Sequence, residues 1–164
     1  MAARVSSDTR LIPSILDRLI DEQPADSREP AANRQQSVRE LERAVARDLE
    51  AMLNTRQEIS EDLSAEYQEV QRSLLAYGLP DFTSCSLAIE EDRRRVLRSV
   101  ESTIARFEPR LQRVRVQIET PRNNDRGLRF RIDALLRVHP APEPVTFDAV
   151  LHLNTQQYVV HKQG

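Results

Sequence analysis

The chain has 164 residues and a mass of 18.9 kDa, with 39% apolar and 30% charged residues and a formal net charge of −2. That length suits one domain, or one domain with an arm, and the modest apolar content suits a small core with polar extensions. The near-neutral charge argues against a nucleic-acid coat, and no run of 18 apolar residues is present to span a membrane.

Leu11, Ile12, Ile15, Leu16, Leu19 and Ile20 form an apolar stripe at helical spacing. They predict a first helix over Leu11–Asp21, with Pro13 in its first turn. Such a helix suits either a place in the core or docking into a partner's groove through Leu16 and Leu19. Residues 22–36 carry Pro24 and Pro30 without periodicity and read as a linker. The chain therefore divides into an arm, 1–36, and a single domain, 37–164.

Ser37-Val38-Arg39-Glu40 is a capping-box pattern. Behind it Val38, Leu41, Val45, Leu49, Met52 and Leu53 keep a 3.6-residue period to about Asn54. A break over 55–64 leads to a helix near Ala65–Tyr77, with Tyr67, Val70, Leu74 and Tyr77 on one face. Gly78 is placed to cap that helix and Pro80 to stop it. A long helix is expected over Leu87–Phe107, with Glu90, Glu91 and Asp92 in its first turns, where the helix dipole favours anions. Its expected buried stripe is Ile89, Val96, Val100, Ile104 and Phe107, while Arg93, Arg94, Arg95 and Arg98 crowd the exposed side.

Beyond Pro109 the period changes to two. Val114, Val116 and Ile118 alternate with polar residues, as do Leu128, Phe130, Ile132, Ala134, Leu136 and Val138 after a turn over 121–127. A proline-rich loop leads to Val145, Phe147, Ala149, Leu151 and Leu153. The pattern predicts a three-stranded antiparallel meander with one apolar face. Pairing Ile118 with Phe130 sets Glu119 against Arg129 and Arg115 against Asp133, whereas a two-residue slip sets Arg115 against Arg131. In the second hairpin, Val138 opposite Val145 keeps the apolar faces together. The expected class is α+β: helices first, then a three-stranded antiparallel sheet with helices packed on one face. Strand Leu111–Glu119 is expected at an edge, open to a partner strand, with Arg113 and Arg115 discouraging promiscuous pairing.

Residue chemistry removes several functional classes. Cys85 is the only cysteine, and His139, His152 and His161 lie far apart, so neither a disulfide nor a zinc site is indicated. With glycine only at 78, 127 and 164, no phosphate-cradling loop is indicated, and nothing calls for a cofactor. The polar first ten residues lack a signal core, so a cytoplasmic location is expected. Of the 24 basic residues only Lys162 is lysine. Residues 1–81 hold 10 Arg against 16 acids and residues 82–164 hold 14 bases against 10 acids. The arginines of the second half lack stacking aromatics beside them and read as solvated faces, not as a nucleic-acid surface.

One place departs from the rules of helix stability. Glu108 stands at the negative end of the long helix, where a cation is preferred. Pro109 forces it out of helical geometry, and Arg110 follows at the start of the strand. Two readings stay open: a solvated helix stop with a local ion pair, or a recognition corner that meets charges on another chain.

Phe107-Glu108-Pro109-Arg110-Leu111, between a long helix and alternating strands, resembles the signature of the TssE family, a baseplate subunit of type VI secretion systems. That family is similar to a baseplate wedge protein of contractile-tailed phages. Ser73-Leu74-Leu75-Ala76-Tyr77-Gly78-Leu79-Pro80-Asp81 is similar to the family's Tyr-Gly-Leu-Pro-Asp turn, and Pro13-Ser14-Ile15-Leu16-Asp17-Arg18-Leu19 to its N-terminal segment. The resemblance runs from about Pro13 to Val160 and implies assembly rather than turnover. It implies a cytoplasmic wedge subunit that meets TssF, TssG and TssK, stands near the spike, and templates the first ring of TssB/TssC sheath. It also implies that Glu108, Pro109 and Arg110 take part in contacts that hold the wedge together.

The rival is a lysozyme-like enzyme, a label this family has long carried. A glycosidase needs two carboxylates across a cleft, one of them in an apolar pocket. Glu101 and Glu108 are the available pair, yet a spacing of seven on a helix is about 10 Å along its axis. Arg106 and Arg110 flank Glu108, the chain has no Trp, and aromatics make up only 4% of it.

Overall fold

In the computed structural model, residues 11, 14–20, 37–58, 67–82, 84–86, 88–119, 127–152 and 157–163 are described. The expected linker over 22–36, most of the break over 55–64 and all but Gly127 of the turn expected over 121–127 lie outside them. The elements in chain order are α1 (Ile15–Leu19), α2 (Val38–Leu53), α3 (Gln68–Gln71), a 3-10 turn (Leu74–Ala76) and α4 (Glu90–Phe107). They are followed by β1 (Leu111–Glu119), β2 (Gly127–Leu136), β3 (Glu143–His152) and β4 (Gln157–Lys162).

Capping decides where the first two helices start. The Ser37 hydroxyl accepts from the Glu40 amide and the Glu40 carboxylate accepts from the Ser37 amide at 2.6 Å, so α2 begins where its pattern predicts. A second box, Ser14 with Asp17, starts α1 at Ile15, and Ile20 is already extended. The first helix is therefore five residues long instead of the expected Leu11–Asp21. The expected Ala65–Tyr77 helix is also interrupted. Ser73 takes extended backbone, accepts from the Leu75 amide and donates to the Val70 carbonyl, which divides the segment into α3 and the 3-10 turn. Leu74, expected on the apolar face, is exposed. The long helix starts at Glu90, which leaves Ile89 exposed at its cap, while Val96, Val100 and Ile104 are buried as expected.

Gly78 has φ +99° because the chain must turn sharply to set Leu79 beside Thr55. The Leu79 amide donates to the Thr55 carbonyl at 2.9 Å, and the Gln57 amide donates to the Leu79 carbonyl at 2.9 Å. A Cβ on Gly78 would lie 2.3 Å from the Thr55 carbonyl oxygen.

The sheet is antiparallel in the order β1-β2-β3-β4, which places β1 at an edge as expected. It has four strands, not three. β4 was unexpected because its helix-facing positions are Tyr158, Val160 and Lys162, and the lysine breaks the apolar alternation. Its ammonium reaches the buried Glu42 carboxylate of α2 at 2.5 Å. The first hairpin has the expected register, with Ile118 opposite Phe130, Glu119 opposite Arg129 and Arg115 opposite Asp133. The second does not: Val145 pairs with Ala134 rather than Val138. Both registers keep the same faces together, so apolar alternation alone cannot separate them. The Thr146 hydroxyl donates to Asp133 at 2.7 Å, and the Arg137 amide donates to the Arg110 carbonyl at 2.8 Å. The first bond crosses β2 and β3 and selects the observed alignment, whereas the second belongs to the first hairpin.

β1 also carries a bulge. Gln112 pairs with Leu135 but Arg115 pairs with Asp133, so Arg113 and Val114 together oppose one residue, and Arg113 has φ 53°. The extra residue puts Leu111 and Val116, five apart, on the same buried face. Helices and sheet meet in one core, in which Val45 and Leu49 of α2, Ile104 of α4, and Ile132, Leu136 and Phe147 of the sheet are fully enclosed.

Candidate partner-binding site

Helix α4 ends because Pro109 follows Glu108. The Glu108 amide still donates to the Ile104 carbonyl at 2.9 Å, but its own backbone has left helical geometry, with φ −117° and ψ 79°. A tight turn closes with the Leu111 amide donating to the Glu108 carbonyl at 3.1 Å. The corner is pinned from the sheet side by Arg137, whose guanidinium donates to the Pro109 carbonyl at 3.4 Å.

The charges at this corner point inward. Glu108 is 4% exposed. Arg110 grips it with both arms of its fork: Nε donates to Oε1 at 2.7 Å and Nη2 to Oε2 at 2.5 Å. The same Nη2 donates to Asp48 Oδ2 of α2 at 2.5 Å. Asp48 Oδ1 accepts from Arg47 Nε at 2.9 Å, and Arg47 Nη2 reaches Asp17 Oδ1 of α1 at 2.7 Å. Glu108, Arg110, Asp48, Arg47 and Asp17 thus form one row of alternating charge that joins the corner, α2 and the arm. Burial works against charge on Arg110, but the bonds and attraction of Glu108 and then Asp48 outweigh it and raise its pKa. Burial also pushes Asp17 upward, yet the Ser14 hydroxyl, Arg47 and the Ser14 amide hold it below the usual carboxylate range. Tyr77 packs edge-on against Phe107, at 5.3 Å between ring centres, and its phenol pKa is raised by burial and then by the charges of Asp48 and Glu108.

Of the residues singled out from sequence, the corner and the arm meet through this row. Glu108 and Arg110 are inside it, while Pro109 is the exposed member of the tripeptide. α1 is seated by its polar residue, Asp17, whose side chain is 7% exposed. Its apolar residues face outward, with Leu16 at 54% and Leu19 at 76% exposure. Arg113 and Arg115 are exposed on β1, at the bulge and opposite Asp133 respectively. Sequence reasoning missed Asp17, Arg47 and Asp48, because charged helix residues read as solvated. The one available signal was that Asp48 falls three residues after Val45 and one before Leu49, close to the buried stripe.

Glu101 and Glu108, the carboxylates that a glycosidase would use across a cleft, are each engaged by the fold. Glu101 Oε1 accepts from the Val116 amide at 2.9 Å, and Glu108 is clamped by Arg110. Among the described residues no cluster of His, Cys, Asp or Glu could hold a metal ion. No helix among them is long and apolar enough to cross a membrane.

Searches of curated proteins and of solved structures gave no match. A family model described as baseplate wedge protein gp25 matches residues 39–141. That stretch runs from the first turn of α2 through the corner to the loop between β2 and β3, and contains the Asp48–Arg110–Glu108 part of the charge row. The match covers more than half of the chain, and the protein therefore belongs to the baseplate wedge protein gp25 family, structural components of contractile-injection baseplates.

Proposed function

We propose that the chain is a TssE-like subunit of a type VI secretion baseplate, working in the cytoplasm as a structural part and not as an enzyme. The observation that carries this reading is the Phe107–Leu111 corner, which stands between a long helix and a sheet within the family match. It helps to assemble the wedge with TssF, TssG and TssK and to start polymerisation of the TssB/TssC sheath, close to the spike. Pro109 is the contact point of the corner, and Glu108 and Arg110 hold it in place. Residues 1–36 form an arm whose Leu16 and Leu19 dock to a neighbouring subunit, while Arg113 and Arg115 guide an acidic partner to the β1 edge.

The reading is tested by pulling the tagged full chain from its host and identifying what comes with it. Wedge and sheath subunits are expected, and their absence from a stable complex would reject it. Glu108→Ala with Arg110→Ala, verified as folded by circular dichroism, is expected to lose those partners. A second assay asks whether the purified protein releases muropeptides from peptidoglycan. Release that Glu108→Gln abolishes would favour the lysozyme-like alternative.

A further inference from the structure

The two edges of the sheet are finished differently. Along β4, Asn54 accepts from the Tyr158 amide at 2.8 Å and donates to the Tyr158 carbonyl at 2.9 Å, and Glu50 accepts from the Val160 amide at 2.9 Å. Side chains of α2 thus stand where a fifth strand would lie. Along β1, Glu101 supplies one such contact, to the outward-pointing Val116 amide. Two residues on, strand geometry points the Ile118 amide the same way. There α4 and β1 part around a groove of about 510 Å³, with Arg93, Arg94 and Leu97 facing Val116, Ile118 and Leu128.

The Arg115–Glu119 end of β1 is complementary to itself along its backbone edge. An antiparallel copy centred on Gln117 sets Val116 against Ile118 and Arg115 against Glu119, with each of these pairs made twice about the two-fold axis. It would also match the outward amides and carbonyls of positions 116 and 118. An edge with that pattern is a template for pairing between chains unless something blocks it.

We infer that Glu101 is a guard that keeps β1 from pairing with a second copy of this chain. Its carboxylate holds the amide that the copy's carbonyl needs, and its negative charge lies where that oxygen would approach. A second copy must break a charge-assisted bond and then leave a carboxylate beside its own backbone oxygens. The inference is independent of the wedge reading, because it concerns the purified chain alone.

Sedimentation velocity over a concentration series tests it on the wild type, Glu101→Gln, Glu101→Ala and Glu101→Met. Removal of the acceptor in the Ala variant is expected to tighten self-association by about a hundredfold or more, the equivalent of two charged hydrogen bonds, one in each copy. Glu101→Met keeps the length and helix preference of the side chain, so it gives the same result should the Ala variant fold poorly. Glu101→Gln retains an acceptor for Val116 and is expected to stay closest to the wild type. Adding Ile118→Pro to either acceptor-free variant removes an outward amide without removing a ladder bond, and is expected to restore the wild-type state. Folded Ala and Met variants that sediment as the wild type does would overturn the inference. So would self-association that Ile118→Pro leaves unchanged.

Discussion

Arg110→Ala takes one guanidinium away from two carboxylates. Glu108, with a side chain only 5% exposed, loses both of its short bonds to the fork, whereas Asp48 keeps Arg47. Removing one partner of a buried pair costs about 3–5 kcal/mol when the other charge is left without water. Arg110 is itself 25% exposed, so solvent reaches part of the gap, and the expected loss is about 2–4 kcal/mol. Glu108→Ala is milder, at about 1–2 kcal/mol, because the arginine retains Asp48 and some water. The double variant leaves no buried carboxylate without a partner and is expected to cost less than the two single losses together. Urea denaturation at constant m measures all three, and thermal melting should show Arg110→Ala roughly 5–12 °C below the wild type. Equal losses for the two single variants, or a double variant that costs their full sum, would refute the inward-facing row.

Gly78→Ala should destabilise by about 2 kcal/mol or more, since its φ of +99° is combined with a 2.3 Å approach to the Thr55 oxygen; near-neutral urea curves would contradict this. Asn54→Ala frees both backbone groups of Tyr158 and should cost about 2 kcal/mol. Hydrogen exchange should report it, with faster exchange at the Tyr158 amide and no change at Phe130. Asp17 has a depressed pKa when α1 is docked, so its support for docking is complete above the ordinary value of 3.8 and fades as pH falls through the lower, docked value. Amide protection at Leu19 and Ile20, corrected for the intrinsic rate at each pH, should therefore fall between pH 4 and 2 in the wild type but not in Asp17→Asn. An acid-insensitive wild type would count against the Asp17–Arg47 seat.

Much of this fold is legible in the chain because local and cross-strand signals agree. Ser37 and Glu40 state where α2 begins, and Arg115, Glu119, Arg129 and Asp133 select one register of the first hairpin from two that bury the same face. Local caps at Ser14 and Ser73 shorten two expected helices, whereas the failures in the sheet and at the corner turn on polar residues satisfied at long range. Lys162 hides β4 because its partner, Glu42, lies 120 residues earlier. Thr146 and Asp133 select the second register, where apolar parity is silent. The same holds at the candidate site. Glu108-Pro109-Arg110 stands out through its conflict with the helix dipole, but its inward turn depends on Asp48, 62 residues before Arg110. Arg113 in left-handed geometry has no local cue, since glycine is the usual occupant of such a position.

The bulge in β1 also works as slack in the strand. Leu111 and Val116 face the core together although five residues separate them, so one of Arg113 and Val114 is surplus to the alternation. Deleting either would leave the two four apart, with Leu111 still opposite Leu136, and would keep the facing of the corner while removing the left-handed residue. Deleting both would leave them three apart, turning Leu111 to the outer face and carrying Arg110 away from Asp48. A length series across this segment would therefore separate the direction of the corner from its chemistry.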